Sequence, residues 1–155
     1  MILFDNHTKT QISDEILLFL ETIASSLTRR NIELLLVEND EIAELNARFL
    51  GKDYATDVLS FPLDFSEIKG DSNKSNLAES AMLGSIVISL DIAQKVAKEQ
   101  KHPLKTELAI LFTHGLLHLL GFNHECDNGE HRAKEREILQ NFGITSLIER
   151  NNQIK

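Results

Sequence analysis

HGLLHLLGFNH occupies positions 114–124, and three of the chain's six histidines, His114, His118 and His124, lie within it. Residues four apart on a helix project from the same face, about 5 to 6 Å apart, so His114 and His118 can reach one metal ion. Gly121 can take the left-handed conformation that ends a helix, which turns His124 toward the ion from a third direction. The stretch therefore predicts a metal site at the end of a helix and in the turn that follows it.

The three imidazoles indicate the kind of metal site. Three neutral imidazoles leave one tetrahedral position open for water, which is typical of catalytic zinc, whereas a structural zinc site is normally closed by four protein ligands. Bound zinc can lower the pKa of its water to about 7 and so supply hydroxide at neutral pH. We therefore expect one Zn²⁺ ion that activates water for hydrolysis, although imidazole also suits nickel, copper and iron.

The histidine spacing also matches the H-E-x-x-H-x-x-G-x-x-H pattern of the metzincin proteases. Gly115, however, stands where those proteases carry the glutamate that accepts a proton during peptide hydrolysis. The metzincins also have a methionine turn downstream of the motif, and this chain has methionine only at positions 1 and 82. Both differences disfavour a protease.

Other residues could support the metal site or lie apart from it. Glu107 lies two turns before His114 on the same helix face, where a carboxylate could orient the imidazole; a solvent-exposed glutamate is the alternative. His7, His102 and His131 have no partner at ligand spacing, so we interpret each as a structural or surface residue.

The composition is ordinary for a globular chain. Its 155 residues, 42% hydrophobic and 26% charged, predict a single domain over 1–155. The one cysteine, Cys126, excludes an internal disulfide and fits a reducing compartment. No apolar run approaches the ~18 residues that a membrane span needs, so we expect a cytoplasmic protein with no membrane partner.

The charge balance limits how the chain can bind nucleic acid. Acidic residues outnumber basic ones by 24 to 16, and the formal net charge is −8. This disfavours non-specific adhesion to nucleic acid, so an RNA substrate would require locally concentrated positive charge. Two basic clusters could supply it, or could simply be solvated helix ends and faces. They are Arg29 with Arg30, and Lys95, Lys98, Lys101 and Lys105.

Hydrophobic periodicity and turn residues predict interleaved helices and strands. A first helix is expected at about 13–28 and a last one at 130–142. Between them, one helix is expected from a cap at Asn39 or Asp40 to Gly51, another beginning after a cap at Ser89 or Asp91, and another from Pro103 to 120. Strands are expected at 32–37, at 58–61 on a sheet edge before Pro62, and at 83–90. The polar stretch 64–80 predicts a mobile surface loop. The order favours an α+β fold, with helices, including a central metal-binding helix, layered on a small mixed sheet.

HGLLHLLGFNH resembles the HGxLHLxGYDH signature of the YbeY-type metal-dependent endoribonucleases, which are ribosomal RNA maturation factors. LN at 45–46 followed by GKDYATDVLSFP at 51–62 resembles that family's LN and GKDxPTDVLSFP segments. Leu83-Gly84 with Ile86 is similar to the family's LGDI strand. Together the segments have the family's order and spacing over about residues 45–139.

This resemblance implies a compact, zincin-like α+β domain in the cytoplasm. It implies single-strand-specific cleavage of RNA in maturation of the 3′ end of small-subunit ribosomal RNA and in ribosome quality control. Single-stranded RNA, ribosomal RNA and the small ribosomal subunit are then the expected partners, and DNA is not. The family's zinc ligands correspond to His114, His118 and His124.

Several positions depart from the family pattern. Leu50 replaces the arginine of the family's YRGKD segment, which is expected to contact substrate phosphate. Arg48 lies two residues earlier, about 200° around a helix but near its end. Ser85 and Asn123 replace aspartates, and Ala55 replaces a proline. The Leu50 departure bears on activity more than on fold.

The expected mechanism combines a metal ion with nearby charged groups. The ion polarises a phosphodiester and supplies hydroxide, while Lys52 or Arg48 offsets the phosphate charge. Attack by the RNA's own 2′-hydroxyl is equally compatible with the sequence. Asp57 or Glu107 could transfer protons, the alternative being a turn- or helix-capping carboxylate. The candidate catalytic residues are His114, Lys52, Arg48, Asp57 and Glu107.

Two other functions remain open at this level. One is a non-catalytic, ribosome-associated binding factor in which the metal fixes the helix to its loop, which Leu50 and the acidic charge favour. The other is a zinc hydrolase with another substrate, a protease included. Loss of folding on metal removal would support the first, and chelator-sensitive peptide cleavage would support the second.

Overall fold

The structure is a computed structural model, and it describes residues 1–63, 82–122 and 128–144. The surface loop predicted at 64–80 lies outside these residues, as do Cys126 and two residues of the histidine motif, Asn123 and His124. The single domain expected over 1–155 stays a prediction.

Four strands form one mixed sheet in the described part of the chain. They are β1 (Ile2–Asn6), β2 (Asn31–Val37), β3 (Val58–Pro62) and β4 (Met82–Ser89). Their order across the sheet is β1-β2-β4-β3, in which β1, β2 and β4 are parallel and β3 is antiparallel to β4. The predicted edge position of β3 is confirmed, and Pro62, which has no N–H to donate, ends the strand.

β1 has no counterpart among the strands predicted from the sequence. Its side chains alternate between half-buried and exposed, and its residues pair in register with Ile32 to Leu36 of β2. A five-residue edge strand with one covered face carries little hydrophobic signal. Its backbone partners come from β2, which local sequence does not reveal.

Five helices are described, and each matches a predicted one. They are α1 (Asp14–Leu27), α2 (Asn39–Leu50), α3 (Leu90–Gln100), α4 (Leu104–Leu119) and α5 (Glu130–Asn141). Ser13 caps α1 and Ser89 caps α3, each accepting a backbone N–H of the first turn, which decides between Ser89 and Asp91. None of these described helices is both long and apolar enough to cross a membrane.

The predicted cap of α2 at Asn39 or Asp40 is wrong. The residue before the helix is Glu38, and its side chain makes no capping hydrogen bond. Asn39 instead accepts a hydrogen bond from the Ser89 hydroxyl at 2.7 Å, and its backbone N–H donates to Asp91 at 2.9 Å. These bonds tie the N-termini of α2 and α3 together at the carboxyl ends of β2 and β4.

Both faces of the sheet are covered by helices. Ile86 and Ile88 of β4 face the main core with α1, α3, α4 and α5, whereas Val87 faces a smaller cluster with Ile42 of α2. α4 is the central helix, since most of its residues are buried and it contacts β3, β4, α1, α3 and α5. The predicted α+β fold around the helix that bears the histidine motif is confirmed.

His7 follows β1 and links it to α2. Its Nε2 pairs with Asp5 at 2.8 Å, and its Nδ1 pairs with Glu41 of the first turn of α2 at 2.7 Å. The hydrogen bonds to these carboxylates, Asp5 first and Glu41 second, raise the pKa of His7 above its ordinary value of 6.5. The folded protein therefore favours the protonated ring.

The His7 contacts predict a pH-dependent stability. Because the pKa of His7 is higher in the folded protein, its contribution is fully present below pH 6.5 and is lost as pH rises through the raised value. Between about pH 6 and 8.5 we expect the thermal midpoint of the wild type to fall further than that of His7→Gln, which has no titrating ring. Equal falls in the two proteins would contradict this prediction.

Candidate metal centre and adjoining cleft

His114 and His118 lie in the last turns of α4 and form one side of the candidate metal centre. Their ring centroids are 4.9 Å apart, with the rings edge to face, as expected for residues four apart on one helix face. Gly121 follows the helix with φ +102°, in the left-handed region expected where the chain turns. His124 lies outside the described residues, so its position relative to these rings is not part of this geometry.

His131, in the first turn of α5, joins this cluster from a second helix. It is fully buried, and its ring centroid is 4.7 Å from those of both His114 and His118. One ring nitrogen from each of the three histidines lies within 4.8 Å of the others. Ligands of one tetrahedral zinc are roughly 3.4 Å apart when Zn–N distances are about 2.0 to 2.1 Å, so the donor set fits a metal ion after a small adjustment.

The structure corrects the interpretation of His131 as a residue without ligand partners. No local spacing links position 131 to position 118, and the contact depends on how α5 packs against α4. A signal is nevertheless present in α5, where His131, Glu135 and Ile138 recur at spacings of four and three and are all buried. A histidine and a glutamate on the buried side of a helix indicate a polar site within the core.

Glu135 is the carboxylate that contacts this cluster. Its Oε2 lies 3.2 Å from Nδ1 of His114 and 3.6 Å from Nε2 of His131, and its side chain is 7% exposed. A carboxylate bound to one imidazole nitrogen fixes the ring's tautomer and orientation and leaves the other nitrogen for a metal. Glu135 therefore leaves Nε2 of His114 for an ion.

Glu107 and His102 form a separate buried pair. Glu107 is fully buried, so the alternative of a solvent-exposed glutamate is wrong, and its Oε1 pairs with Nε2 of His102 at 2.9 Å. His102 is thus the structural residue that was expected. The orienting contact that the structure describes at His114 is made by Glu135, in the role proposed from sequence for Glu107.

A cleft of about 470 Å³ adjoins His114 and His118. The end of α2, the following loop and β3 line it, and the loop contributes Lys52 and Tyr54. Leu50, at the end of α2, also lines this cleft and is half exposed. The segment that resembles the LN and GKD motifs therefore meets the histidine motif in one cavity.

Asn46 holds the loop in place against α2. Its side-chain amide donates to the carbonyl of Tyr54 at 2.9 Å, and the N–H of Lys52 donates to the carbonyl of Asn46 at 3.2 Å. Gly51, with φ +70°, makes the left-handed turn that ends the helix, as predicted. Asn46 is 1% exposed, so this buried clamp determines where Lys52 and Tyr54 lie.

The cations expected near a substrate lie in different places. Lys52 lines the cleft, whereas Arg48, the alternative to it, is absent from that lining among the described residues. Lys105, from the longer basic cluster, pairs with Glu15 at 3.2 Å and lies over the Phe19 ring. It belongs to the first turn of a 16-residue helix, which is roughly 24 Å long, and the histidines belong to the last turns. The geometry therefore favours Lys52 as a substrate contact.

Asp57 precedes β3 and also lines the cleft. Its Oδ1 accepts the N–H of Val58 at 2.8 Å, which is the capping role considered as the alternative to proton transfer. The carboxylate therefore has a local structural task while lying in the same cavity as Lys52.

Gly115 lies where α4 packs on β3 and β4. A Cβ atom at this position would be 3.0 Å from Cγ2 of Ile86 and 3.0 Å from Oγ of Ser60. The Ser60 hydroxyl also donates to the carbonyl of Gly115 at 3.1 Å, which holds the helix close to the strand. The glutamate that metzincins carry at this position would have to displace the Ile86 or Ser60 side chain, so the packing here favours glycine.

One family, described as Endoribonuclease YbeY, matches the chain over residues 3–143. The chain belongs to the endoribonuclease YbeY family. A relative of that name from Aliarcobacter butzleri is 50% identical over 153 residues, which cover 98% of this chain and 100% of the relative. The Nautilia profundicola relative is 47% identical, with coverages of 97% and 99%. That from Campylobacter jejuni is 46% identical, with coverages of 90% and 96%.

One solved structure has a similar fold. The solution structure of TM1509 from Thermotoga maritima matches with a TM-score of 0.54 and 25% identity, covering 92% of this chain and 91% of that chain. The predicted resemblance to the YbeY family is thus confirmed, and with it the class of enzyme, a hydrolase that acts on RNA in ribosomal RNA maturation. The alternative of a non-catalytic binding factor is not favoured.

One departure from the YbeY family pattern has a local explanation. Ser85 of β4 is paired with Glu33 of β2, and its hydroxyl donates to Glu33 Oε1 at 2.7 Å. An aspartate at position 85 would set two carboxylates opposite each other, which destabilises a sheet. Serine is therefore compatible with Glu33 where aspartate is not.

Proposed function

We propose that the protein is a metal-dependent endoribonuclease specific for single-stranded RNA, which matures the 3′ end of small-subunit ribosomal RNA and acts in ribosome quality control. Its partners would then be ribosomal RNA and the small ribosomal subunit, and its location the cytoplasm. The observation that carries the proposal is one cleft shared by the motif histidines and Lys52. A metal site and a phosphate-binding cation in one cavity suit cleavage of a phosphodiester.

The metal part of the proposal is one zinc ion held by His114, His118 and His124. The described part of the donor set supports it, because two imidazoles share a helix face and Glu135 orients one of them. When bound, the ion supplies a Lewis acid that polarises the phosphodiester and lowers the pKa of a water molecule to about 7. Imidazole donors alone do not distinguish zinc from nickel, copper or iron.

The loop after α2 would hold the substrate. Lys52 offsets the charge of a phosphate, and Tyr54, 58% exposed, offers an aromatic face on which an unpaired base can stack. Stacking of this kind requires a base that is free of a duplex, which supports single-strand specificity. Asn46 keeps both residues in the cleft through its bonds to the loop backbone.

Asp57 is the better placed of the two candidates for proton transfer. It lines the cleft, whereas Glu107 is buried against His102. The nucleophile is either a water molecule or the RNA's own 2′-hydroxyl, and the proposal accommodates both. A single 2′-deoxy substitution at the cleaved position distinguishes them, because it abolishes only attack by the 2′-hydroxyl.

The decisive test is cleavage of matched single-stranded and duplex RNA by the protein as isolated, after chelation and after restoration of zinc, beside His114→Ala. We expect single strands to be cut, chelation to stop cleavage, zinc to restore it, and the variant to be inactive. Folded, zinc-loaded protein that cuts neither RNA would overturn the proposal and favour the binding factor. Chelator-sensitive peptide cleavage without RNA cleavage would favour another hydrolase.

Leu50 gives a prediction about substrate affinity. Leu50→Arg adds a cation to the cleft wall, so we expect tighter binding of single-stranded RNA to the chelated protein and a salt slope steeper by about 0.7, the increment for one phosphate contact. Fluorescence anisotropy at several salt concentrations measures both. Arg48→Leu, which removes a cation outside the described lining, is the matched control and should leave the slope unchanged. An unchanged slope in Leu50→Arg would contradict the assigned cleft.

A further inference from the structure

We infer that His131 is a protein ligand of the metal, so that the ion is held between α4 and α5. The inference rests on the proposed function in one respect, namely that a metal binds at His114 and His118. It goes beyond that function because the histidine motif supplies its ligands from positions 114–124 alone.

The geometry of the three rings carries the inference. His131 contacts the two other imidazoles about equally, with ring centroids 4.7 Å from each, and its ligand nitrogen lies within 4.8 Å of theirs. The three nitrogens therefore lie close to one another, although their residues belong to two helices. Ligand nitrogens of a tetrahedral zinc ion are roughly 3.4 Å apart, so binding would draw these three together by up to about 1.4 Å.

The surroundings of His131 argue against burial for packing alone. An imidazole buried only to fill space would be expected among apolar side chains, because an unmatched polar group in the core is unfavourable. Among its described neighbours, His131 instead has two imidazoles and the Glu135 carboxylate, although Phe122 also lies nearby. Those polar neighbours are the groups that surround a bound metal.

Glu135 adds a second, independent observation. One oxygen of its carboxylate faces both Nδ1 of His114 and Nε2 of His131. A metal-binding histidine commonly gives its other ring nitrogen to a carboxylate, and Glu135 has this contact with His114 at 3.2 Å, whereas its 3.6 Å separation from His131 is an ion-pair distance and too long for a hydrogen bond.

The inference changes the expected coordination. If His124 binds as the motif predicts, four imidazoles are available, and activation of a water molecule then requires a fifth position on the ion, a coordination number that catalytic zinc can reach. Each single variant, His124→Ala or His131→Ala, should retain weakened zinc binding, and the double variant should weaken it further.

Zinc affinity and coordination test the inference without an activity assay. Competition with a chromogenic chelator gives the dissociation constant, and X-ray absorption of the zinc-loaded protein counts the imidazoles. We expect His131→Ala to weaken zinc binding at least about 10-fold and to remove one imidazole from the count. His7→Ala, which removes a histidine outside the cluster, is the matched control and should change neither quantity.

The outcomes separate this inference from the proposed function. His131→Leu, which keeps a side chain of similar size, must lose affinity as His131→Ala does if the ring acts as a ligand; it replaces His131→Ala if that variant fails to fold. Wild-type affinity and an unchanged imidazole count in a folded variant would overturn the inference and leave the proposed function standing. A wild-type protein that binds no zinc would overturn both.

Discussion

Glu135→Gln is expected to weaken zinc binding by about 10- to 100-fold, the usual effect of losing a carboxylate that orients a metal-binding histidine. The substitution keeps the size of the side chain and removes its negative charge beside His114. At limiting zinc, RNA cleavage should fall in the same proportion. Saturating zinc should restore most of kcat, because Glu135 positions a metal ligand. Glu135 is not among the described residues that line the cleft.

The same helix offers a matched control for Glu135. Glu137→Gln removes a carboxylate that is 61% exposed and pairs with Lys134 at 3.5 Å, a surface ion pair of little energetic weight. We expect its zinc affinity to equal that of the wild type. Equal affinities for Glu135→Gln and Glu137→Gln, measured by chelator competition, would show that the buried carboxylate does not orient the metal site.

Gly115→Glu is expected to lower the free energy of unfolding by about 3 to 5 kcal/mol, combining overpacking of a dense core with burial of a carboxylate. The close contact with Ile86 is already reached by Cβ, before the rest of the side chain is added. Urea unfolding measures the loss. The variant should also show no peptide hydrolysis, because position 115 faces Ile86 and Ser60 of the sheet.

Gly115→Ala adds only the Cβ atom of that side chain and so measures the effect of Cβ alone on stability. Its Cβ must displace Ile86 or Ser60 by a few tenths of an ångström, but alanine favours a helix over glycine by about 1 kcal/mol. We therefore expect a much smaller net change than for Gly115→Glu. A Gly115→Glu protein as stable as Gly115→Ala would contradict the close packing of α4 on the sheet.

Local sequence predicted those features that depend on a few neighbouring residues. The recurrence of apolar residues predicted α1, Gly51 predicted the end of α2, and Pro62 predicted the end of an edge strand. The four-residue spacing of His114 and His118 likewise predicted a shared helix face. In each case the cause lies within one or two turns of the chain.

Features that depend on packing between distant segments were not predicted. β1 pairs through its backbone with β2, and His131 reaches His118 only because α5 lies against α4. Glu107 has the local spacing of an orienting carboxylate, yet the structure pairs it with His102, while Glu135 serves His114. The spacing of residues along a helix predicts which of them share a face, but not which other segment of the chain packs against that face.

The proposed substrate-binding loop and the proposed metal site are associated with helices on opposite faces of the sheet. α2, which ends at Leu50 and clamps the loop with Lys52, packs on one face, whereas α4 and α5 pack on the other. The two parts meet along β3, where the cleft opens. A substitution in α2 would therefore alter the affinity for RNA without moving the histidines. A substitution that alters substrate binding would then leave the metal ligands in place, and Leu50, which lines the cleft from the end of α2, is a position where this can be tested.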